Sequence, residues 1–511
     1  MTLDFSTSLH YWWALLPEIV LCIAGMAVLI AGVSGKHSRA ARSEGGDVAF
    51  APGNDLGWIA LVGLLVAAGV NGWLYGVTEV GDTSMIAVDG FRLFANWVFL
   101  LGAALSILIS LGYVYRQKLQ AGEFYALILF ATAGMMFMAA ARDLIVVFLG
   151  LEVMSIAVYA LTAFNRRDPK SAEAGLKYFL LGAFATGFLL YGIALVYGAA
   201  GSTNIAAVAT AIVDETFSPT LLTVGIVMLL VGFGFKVSAV PFHMWTPDVY
   251  EGAPAPVTAF MAAAVKAAAF VAFMRIFLVA FEGVYDSWGN IVWWLAAVTM
   301  IVANLIALVQ SNIKRMLAYS SIAHAGYLLV AVTAANETAA AALLFYLLVY
   351  TLMNIGAFAV VIGVSHHSED RQQFEDYAGF GWAQPVLGVF LTIFLLSLAG
   401  FPGTGGFIGK IYLLQGAADA QLWTLAVILV LTTLASYWYY LRVAWFMWMK
   451  PSTDDDQHAL VTIPLPMHLA LVASVALILY TGLFPGAMLE FARASVVGLG
   501  SFGTTMLGFG L

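Results

Sequence analysis

The chain has 511 residues, of which 62% are hydrophobic and 10% are charged, whereas soluble domains have about 25% charged residues. An aqueous surface cannot hide so much apolar area, so the composition excludes a water-soluble domain and predicts a protein that crosses the membrane many times. The net charge of -8, with no run of more than two basic residues, excludes nucleic-acid binding. The single cysteine, Cys22, excludes an intrachain disulfide and any metal site built from cysteines.

Membrane-spanning helices are the main structural prediction. Lipid offers the backbone no hydrogen-bond partners, so each crossing should be a helix of about 20 apolar residues. We predict an all-α fold with fourteen transmembrane helices. The first seven are predicted at residues 11–34, 56–76, 93–115, 122–141, 144–164, 174–199 and 220–246. The second seven are predicted at residues 256–281, 291–310, 321–335, 338–364, 385–414, 422–449 and 464–490.

Lysine and arginine predict the orientation, because cytoplasmic loops of membrane proteins hold an excess of them. Most of these cations fall in loops on one predicted side, and only Arg92, Arg142 and Arg493 fall on the other. The distribution predicts a multi-pass protein with both termini on the outer, periplasmic side. Four cations lie inside predicted spans instead: Lys236, Lys266, Arg275 and Lys410.

Two ionisable residues in the first half of the chain are predicted to be functional. A charge in the middle of a membrane helix costs roughly 2.5–3.5 kcal/mol, so such residues usually pair, face a hydrated cavity or move protons. Glu152 lies about 12 Å into its predicted span at 1.5 Å per residue. Lys236 is followed by Pro241, which should break the helix within one turn of the lysine. The alternatives are a protonated, hydrogen-bonded Glu152 and a simple kink with a snorkelling Lys236.

Three further cations lie in the second half of the predicted bundle. Lys266 is surrounded by alanines, whose small side chains let other helices approach, so it is predicted to point into the bundle; a structural salt bridge is the alternative. Arg275 hardly deprotonates and is predicted to anchor its helix to a headgroup or to a neighbouring helix. Lys410 follows a second predicted break at Pro402.

The two breaks, each beside a buried lysine, indicate an internal repeat. The interval from Glu152 to Lys236 is 84 residues, and that from His324 to Lys410 is 86. Two blocks of five spans can be aligned on these intervals, and an odd number of spans makes the blocks inverted in the membrane. The predicted parts are an N-terminal three-helix segment at 1–121, repeats at 122–281 and 282–449, and a C-terminal helix and tail at 450–511.

Two histidines complete the set of ionisable residues. His243 and His324 could be neutral and bonded to a carbonyl, or they could pass protons between lysines near neutral pH. No cluster of histidine and carboxylate has the spacing of a metal site, and His366 and His367 are expected to be solvated in a polar loop. The sequence therefore predicts a line of titratable residues that moves protons laterally within the membrane.

The charge of one residue could control proton movement along such a line of residues. Burial favours the neutral form of a lysine, whereas a nearby ionised carboxylate favours the charged form. Approach of Glu152 would make Lys236 hold its proton, and separation would release the proton to the next site. The broken helices would provide water access and flexible points. The energy has to come from outside the chain, because the sequence contains no nucleotide-binding motif.

A long motif carries a resemblance to a known family. Residues 235–257 read FKVSAVPFHMWTPDVYEGAPAPV, which closely resembles the antiporter-like membrane subunits of respiratory complex I, NADH:quinone oxidoreductase. Residues 176–183, residues 314–327 and the Lys410 segment extend the similarity over most of the chain. The resemblance implies inverted repeats and proton translocation driven by distant quinone reduction. It also implies that Glu152 is the modulating carboxylate, Lys236 its partner, Lys266 the central relay and Lys410 the terminal proton-exchanging group.

Three paralogous subunits share this pattern, and Lys410 together with the sequence WTPDVYEGAP makes subunit N the most similar. The resemblance implies a non-redox subunit of a translocase in a bacterial cytoplasmic membrane. It implies no cofactor in this chain, with NADH, FMN, iron–sulfur clusters and quinone in partner subunits. Two alternatives remain, namely a subunit of a multi-subunit cation/proton antiporter and a purely structural helix bundle.

Overall fold

A computed structural model describes residues 2–4, 8–33, 54–80, 84–119, 121–365, 371–452 and 463–499. Almost all of these residues are helical, which confirms the predicted all-α membrane class. Two short strands, β1 (Thr2–Asp4) and β2 (Thr78–Val80), pair in parallel and were not predicted, since three residues are too few to show a strand pattern. The loop cations Lys36, Arg39 and Arg42 and the pair His366 and His367 lie outside the described residues.

The described residues of the N-terminal segment form four helices: α1 (Ser8–Ala14), α2 (Leu16–Val33), α3 (Asn54–Leu74) and α4 (Gly90–Arg116). The side chain of Asp89 caps α4 by accepting the backbone N–H of Arg92 at 2.8 Å. The prediction that Arg92 lies in an outer loop was therefore wrong. Its buried guanidinium pairs with Glu18 at 2.7 Å and ties α4 to α2.

The next part of the chain forms α5 (Ala121–Ala140), α6 (Leu144–Thr162), α7 (Pro169–Ala200), α8 (Ile205–Val213), α9 (Pro219–Val237), α10 (Thr246–Gly252), α11 (Ala255–Phe260) and α12 (Lys266–Val279). Helix α7 begins earlier than predicted because Asp168 caps it and Pro169 occupies its first turn. A π-helical turn, Met261–Val265, joins α11 to α12. The sequence analysis did not predict this turn.

The following part forms α13 (Tyr285–Leu308), α14 (Ile313–Ala334), α15 (Glu337–Val364), α16 (Phe380–Ala383), α17 (Pro385–Ala399), α18 (Gly405–Asp419) and α19 (Trp423–Met449). The predicted start of the span at 321 was wrong, because Asn312 caps α14 through the N–H groups of Lys314 and Arg315. Buried Lys314 fits inside the helix because its Nζ donates to the carbonyls of Glu251 and Ala253.

The C-terminal span, in contrast, is shorter than predicted. Helix α20 (Leu465–Leu483) is followed by a separate helix, α21 (Gly486–Val496). Pro485 stands between them and cannot donate a helical hydrogen bond. The single span predicted at 464–490 therefore ends at Leu483.

Arg275 links two helices, which is one of the two alternatives that the sequence predicted. Its two terminal nitrogens donate to the carboxylate of Asp89 at 2.7 and 2.8 Å, joining α12 to the start of α4. Burial of Asp89 opposes ionisation, but the charge and hydrogen bonds of Arg275 and the backbone N–H of Arg92 lower the pKa of Asp89 to about 2. The ion pair is bidentate, and it joins a buried arginine to a carboxylate that is 23% exposed.

Thirteen helical stretches in the described residues are long and apolar enough to span a bilayer, and α17 is apolar but shorter. The count of fourteen crossings, the inverted repeats and the four predicted parts of the chain stay predictions. In the most apolar part of each of three segments, 255–279, α14 and α15, 94% of the residues are buried. The corresponding value for α2 is 28%. These three stretches form the centre of the bundle, so polar residues on them are shielded from lipid.

Candidate functional site

The first predicted break is present directly after Lys236. Helix α9 ends at Val237, Ser238 adopts a left-handed conformation with φ of 65°, and the helix resumes at Thr246. This confirms the predicted interruption within one turn of the lysine. Side chains satisfy two of the backbone groups that it frees. Thr299 accepts the N–H of Val240 at 2.9 Å, and the indole of Trp245 donates to the carbonyl of Phe235 at 3.2 Å.

Lys236 is 5% exposed and points at α6. Its Nζ donates to Ser155 Oγ at 2.7 Å and to Tyr159 Oη at 3.3 Å, and it lies 5.2 Å from the centre of the Tyr159 ring. The sequence analysis missed both partners. Their spacing was an available signal, because positions three and seven residues after Glu152 lie on the same face of a helix.

Glu152 lies on that face but does not contact Lys236 directly. No ion pair joins the two side chains, both of which are described, and Glu152 Oε1 is buried without a hydrogen-bond partner. Ser155 lies one turn along α6 from Glu152 and bonds to the lysine. The structure therefore places a hydroxyl group beside the lysine on the helix that carries the carboxylate.

Ser155→Ala tests this arrangement, since it removes the shortest hydrogen bond to Lys236. We expect proton pumping to fall about fivefold, equivalent to ~1 kcal/mol for one hydrogen bond. Tyr159→Phe keeps the ring beside the cation and loses the longer contact, so its effect should be smaller. The measurement is the initial rate of pumping in proteoliposomes, normalised to assembled protein. Equal rates for Ser155→Ala and the unchanged protein would contradict the assigned contact.

Lys266 is the first residue after the π-helical turn and is 1% exposed. Its Nζ donates to the carbonyl of Ser321 at 2.8 Å and to the hydroxyl of the same residue. The alanines around the lysine are buried, as expected for a position that points into the bundle. A π-helical turn frequently marks a functional position in a helix, and here it ends at the lysine.

Helix α14 carries a row of polar side chains along one face. We define the α14 row as Ser320, Ser321, His324 and Tyr327. His324 is 1% exposed and its two ring nitrogens bond to tyrosine hydroxyls. These belong to Tyr346 on α15, at 2.6 Å from Nδ1, and to Tyr440 on α19, at 3.1 Å from Nε2. Tyr440 also bonds to Ser320.

Lys410 lies on the helix that follows the second break, and its side chain reaches back across the break. Helix α17 ends at Ala399, Gly400 has φ of 85°, and α18 begins at Gly405, which confirms the predicted interruption near Pro402. The Nζ atom donates to the carbonyls of Leu398 and Ala399, both at 3.0 Å. The lysine thereby neutralises the carbonyl end of the half-helix. It also lies 4.9 Å from the centre of the Tyr327 ring, at the end of the α14 row.

His243 does not join the row. It is half-buried in the interrupted segment, and its Nδ1 is buried without a hydrogen-bond partner. The structure thus brings Lys266, His324 and Lys410 to one helix, α14, and places Lys236 against α6 beside Glu152. Within the described residues no group of three or more His, Cys, Asp or Glu side chains could hold a metal ion.

A network of ion pairs at one end of the bundle was not predicted. Asp248 on α10 pairs with Lys177 on α7 at 2.8 Å and with Arg315 on α14 at 3.0 Å. Arg315 also pairs with Glu251 at 2.7 Å, and Lys177 with Glu173 at 2.7 Å. Each partly exposed pair stabilises little by itself. Together they attach the half-helix that follows the first break to the helix that carries the α14 row.

The comparison with protein families identifies the region that contains these residues. Residues 141–436 match the family described as "NADH:quinone oxidoreductase/Mrp antiporter, TM". The matched range is more than half of the chain and contains every residue of the predicted relay. This description includes both the respiratory enzyme and the antiporter alternative.

Sequence relatives separate these two possibilities. NADH-quinone oxidoreductase subunit N from Trichlorobacter lovleyi is 48% identical over 488 residues, covering 94% of this chain and 96% of that protein. The chain belongs to the subunit N family of NADH-quinone oxidoreductase. A second relative, NADH-quinone oxidoreductase subunit N 1 from Solibacter usitatus, is 43% identical and covers 95% of this chain and 97% of that protein. The resemblance found in the sequence motifs is confirmed.

Solved structures show that the fold by itself does not distinguish the respiratory enzyme from the antiporter. A chain of respiratory complex I from Thermus thermophilus, with bound aureothin, has a TM-score of 0.77 at 35% identity and covers 95% of this chain and 100% of that chain. A chain of the Mrp complex from Dietzia sp. DQ12-45-1b has a TM-score of 0.79 at 20% identity, covering 97% and 98%. The two TM-scores are nearly equal, so the assignment to subunit N depends on sequence identity and not on the fold.

Proposed function

We propose that the chain translocates protons across a bacterial cytoplasmic membrane as a non-redox subunit of NADH:quinone oxidoreductase. The observation that carries the proposal is the α14 row, which lies between the buried cations Lys266 and Lys410. A buried cation is costly in a membrane protein unless it is paired or takes part in ion movement. These lysines have hydroxyl and carbonyl partners instead of carboxylates, which suits groups that gain and lose a proton.

The first part of the proposed route lies between α6 and α9. Glu152 has a buried oxygen without a partner, and Lys236 bonds to hydroxyls on the same helix. A small movement of either helix would change the distance between carboxylate and ammonium, and with it the preference of the lysine for its proton. The break at Ser238 supplies a point about which the end of α9 can move.

The second part of the route follows α14. A proton leaving Lys266 meets the hydroxyl of Ser321, and the neighbouring Ser320 bonds to Tyr440, which contacts His324. Hydroxyl and imidazole groups can each donate and accept, so they can pass a proton along. Lys410 at the second break is the terminal group in this scheme.

No hydrogen bond joins Glu152 to Lys236 or Ser321 to Ser320 directly. Two further steps of the proposed route are not bridged by hydrogen bonds among the described side chains: Lys236 to Lys266, and His324 to Lys410. Water or side-chain movement has to connect them. Each step lies beside an interrupted helix, where the freed backbone creates room for polar groups. We place control of the route at these two steps, and we include His243, which lies in the first break, in the first connection.

The partners in this proposal follow from the membership of the chain in the subunit N family. NADH, FMN, iron–sulfur clusters and quinone would be held by other subunits of the enzyme, and quinone reduction there would supply the energy. Other membrane subunits of the enzyme would contact this chain within the lipid bilayer, and peripheral subunits would belong to the same complex. Both termini would face the periplasm, since most Lys and Arg residues lie in loops on the opposite side. The two five-helix repeats would place the two breaks in opposite orientations.

Purification in a mild detergent tests the assignment against the antiporter alternative. An affinity tag on this chain should recover subunits that contain flavin and iron–sulfur clusters, measured by their absorbance and by mass spectrometry of the proteins. A tag on an unrelated membrane protein of the same cells is the control. Recovery of sodium/proton antiporter subunits without flavin would contradict the proposal.

A further inference from the structure

A cavity lies away from the route, at the cation-rich end of the bundle. It has a volume of about 580 Å³ and is lined by the segments that follow α4 and α6 and by the adjacent turns of α5 and α6. Its lining, among the described residues, includes no member of the proposed relay. Leu127 on α5 forms part of the wall, so the cavity extends about 9 Å along the helix from Ala121 at 1.5 Å per residue.

The mouth of the cavity is positively charged. Among the described residues that line the cavity, three are exposed cations, Lys118, Arg166 and Arg167, and one is acidic, Glu123. None of the three cations forms an ion pair with an acidic residue of the described chain. Arginine pairs strongly with phosphate oxygens because its planar donors match their geometry. An anion that carries phosphate is therefore the complementary ligand for this mouth.

The interior of the cavity is apolar and continues onto the outside of α6. Leu127 and Ala160 line the cavity on the helical turns that lie away from the basic residues. On the turns of α6 that precede Ala160, the exposed residues are Ile156, Val153 and Leu149, whose spacing places them on one face of the helix. A soluble phosphate compound would fill the mouth only. A ligand with an anionic head and a hydrocarbon chain would fill the mouth and cover the α6 face.

We propose that this cavity binds an anionic phospholipid, with its phosphate between Lys118, Arg166 and Arg167 and an acyl chain along α6. Basic pockets between membrane helices bind such headgroups in general. The site does not depend on the proton route, because the route residues do not line the cavity. Its occupant would fix the segment after α6, the helix that carries Ser155.

Native mass spectrometry of the purified enzyme complex tests the site. The unchanged complex, delipidated and then supplied with phosphatidylglycerol or phosphatidylcholine of the same chain length, should retain phosphatidylglycerol preferentially. The triple variant K118Q/R166Q/R167Q should retain one molecule fewer, with a loss of affinity of about fivefold for each cation removed. The matched control is K170Q/K450Q, which removes exposed cations that do not line the cavity. Unchanged retention in the triple variant, or an equal loss in the control, would overturn the proposal.

A second variant separates the lipid from other occupants. Ala160→Trp fills the apolar part and keeps all three cations, so it should lose phosphatidylglycerol. If this variant retains the lipid and millimolar inorganic phosphate displaces it, the mouth is a phosphate site and the lipid proposal fails. If the triple variant loses a neighbouring subunit while its lipid count is unchanged, the mouth is a protein contact and the proposal fails as well.

Discussion

Lys236→Ala is expected to lower the rate of NADH-driven proton pumping by about tenfold or more, because side chains that transfer protons typically contribute factors of that size or larger. Lys236 is the ammonium that follows Glu152 in the proposed route, and its Nζ is held by Ser155 and Tyr159. Without Lys236, the Glu152 carboxylate has no ammonium group whose protonation it can control. The measurement is acidification of proteoliposomes that contain the purified complex, with NADH oxidation recorded in parallel.

Two further variants make this result interpretable. Lys236→Met keeps most of the side-chain volume, so it should reproduce the loss if charge is the cause and not a cavity left by alanine. Lys170→Ala removes an exposed lysine of the same chain and should pump normally. Unchanged pumping by Lys236→Ala, in a complex that contains all its subunits, would favour the purely structural helix bundle.

Asp89→Ala should destabilise the protein by about 3–5 kcal/mol, the usual cost of removing one partner from a buried ion pair. The substitution leaves the Arg275 guanidinium buried without its carboxylate and removes the cap of α4. Asp89→Asn keeps an oxygen that can cap the helix and should cost less, about 2 kcal/mol from the lowered pKa. The free energy of unfolding in mixed detergent is the quantity to measure.

The pH dependence gives an independent check on this pair. The pKa of Asp89 is about 2 in the folded protein and 3.8 in the reference state, so the stabilisation is complete above pH 3.8 and is lost as the pH falls towards 2. The difference between the unchanged protein and Asp89→Asn should therefore shrink below pH 4. Asp168→Asn changes another helix cap, with no ion pair to a described residue, and should change the free energy of unfolding less than Asp89→Asn does. A pH-independent difference for Asp89→Asn would contradict the assigned ion pair.

Local sequence was sufficient to predict most of the helices. Lipid imposes a minimum apolar length and requires helical hydrogen bonding, so each span is encoded in one continuous stretch. The interruptions were also predictable, because each is marked by a proline close to it in the sequence. Pro241 follows Lys236 closely and Pro402 lies among glycines, and the helices end before both. The predicted boundaries failed where a polar residue was assumed to mark a loop, as with Arg92 and Lys314.

Those failures share one cause. Arg92 pairs with Glu18, which is distant in sequence, and Lys314 caps the carbonyls of Glu251 and Ala253. A buried charge is tolerated when a partner satisfies it, and the partner comes from another helix. The π-helical turn before Lys266 was missed because the surrounding run of alanines gives no local signal for it.

The sequence by itself determined the membrane class, the helical fold, the two interruptions and the identity of the titratable residues, because each depends on neighbouring residues in one stretch of chain. Only the tertiary structure decided what those residues contact. Ser321 reaches Lys266 from 55 residues away, and Tyr440 reaches His324 from 116 residues away. Hydrogen bonds act over about 3 Å, so they depend on how helices pack, and packing brings together residues whose separation along the chain carries no signal.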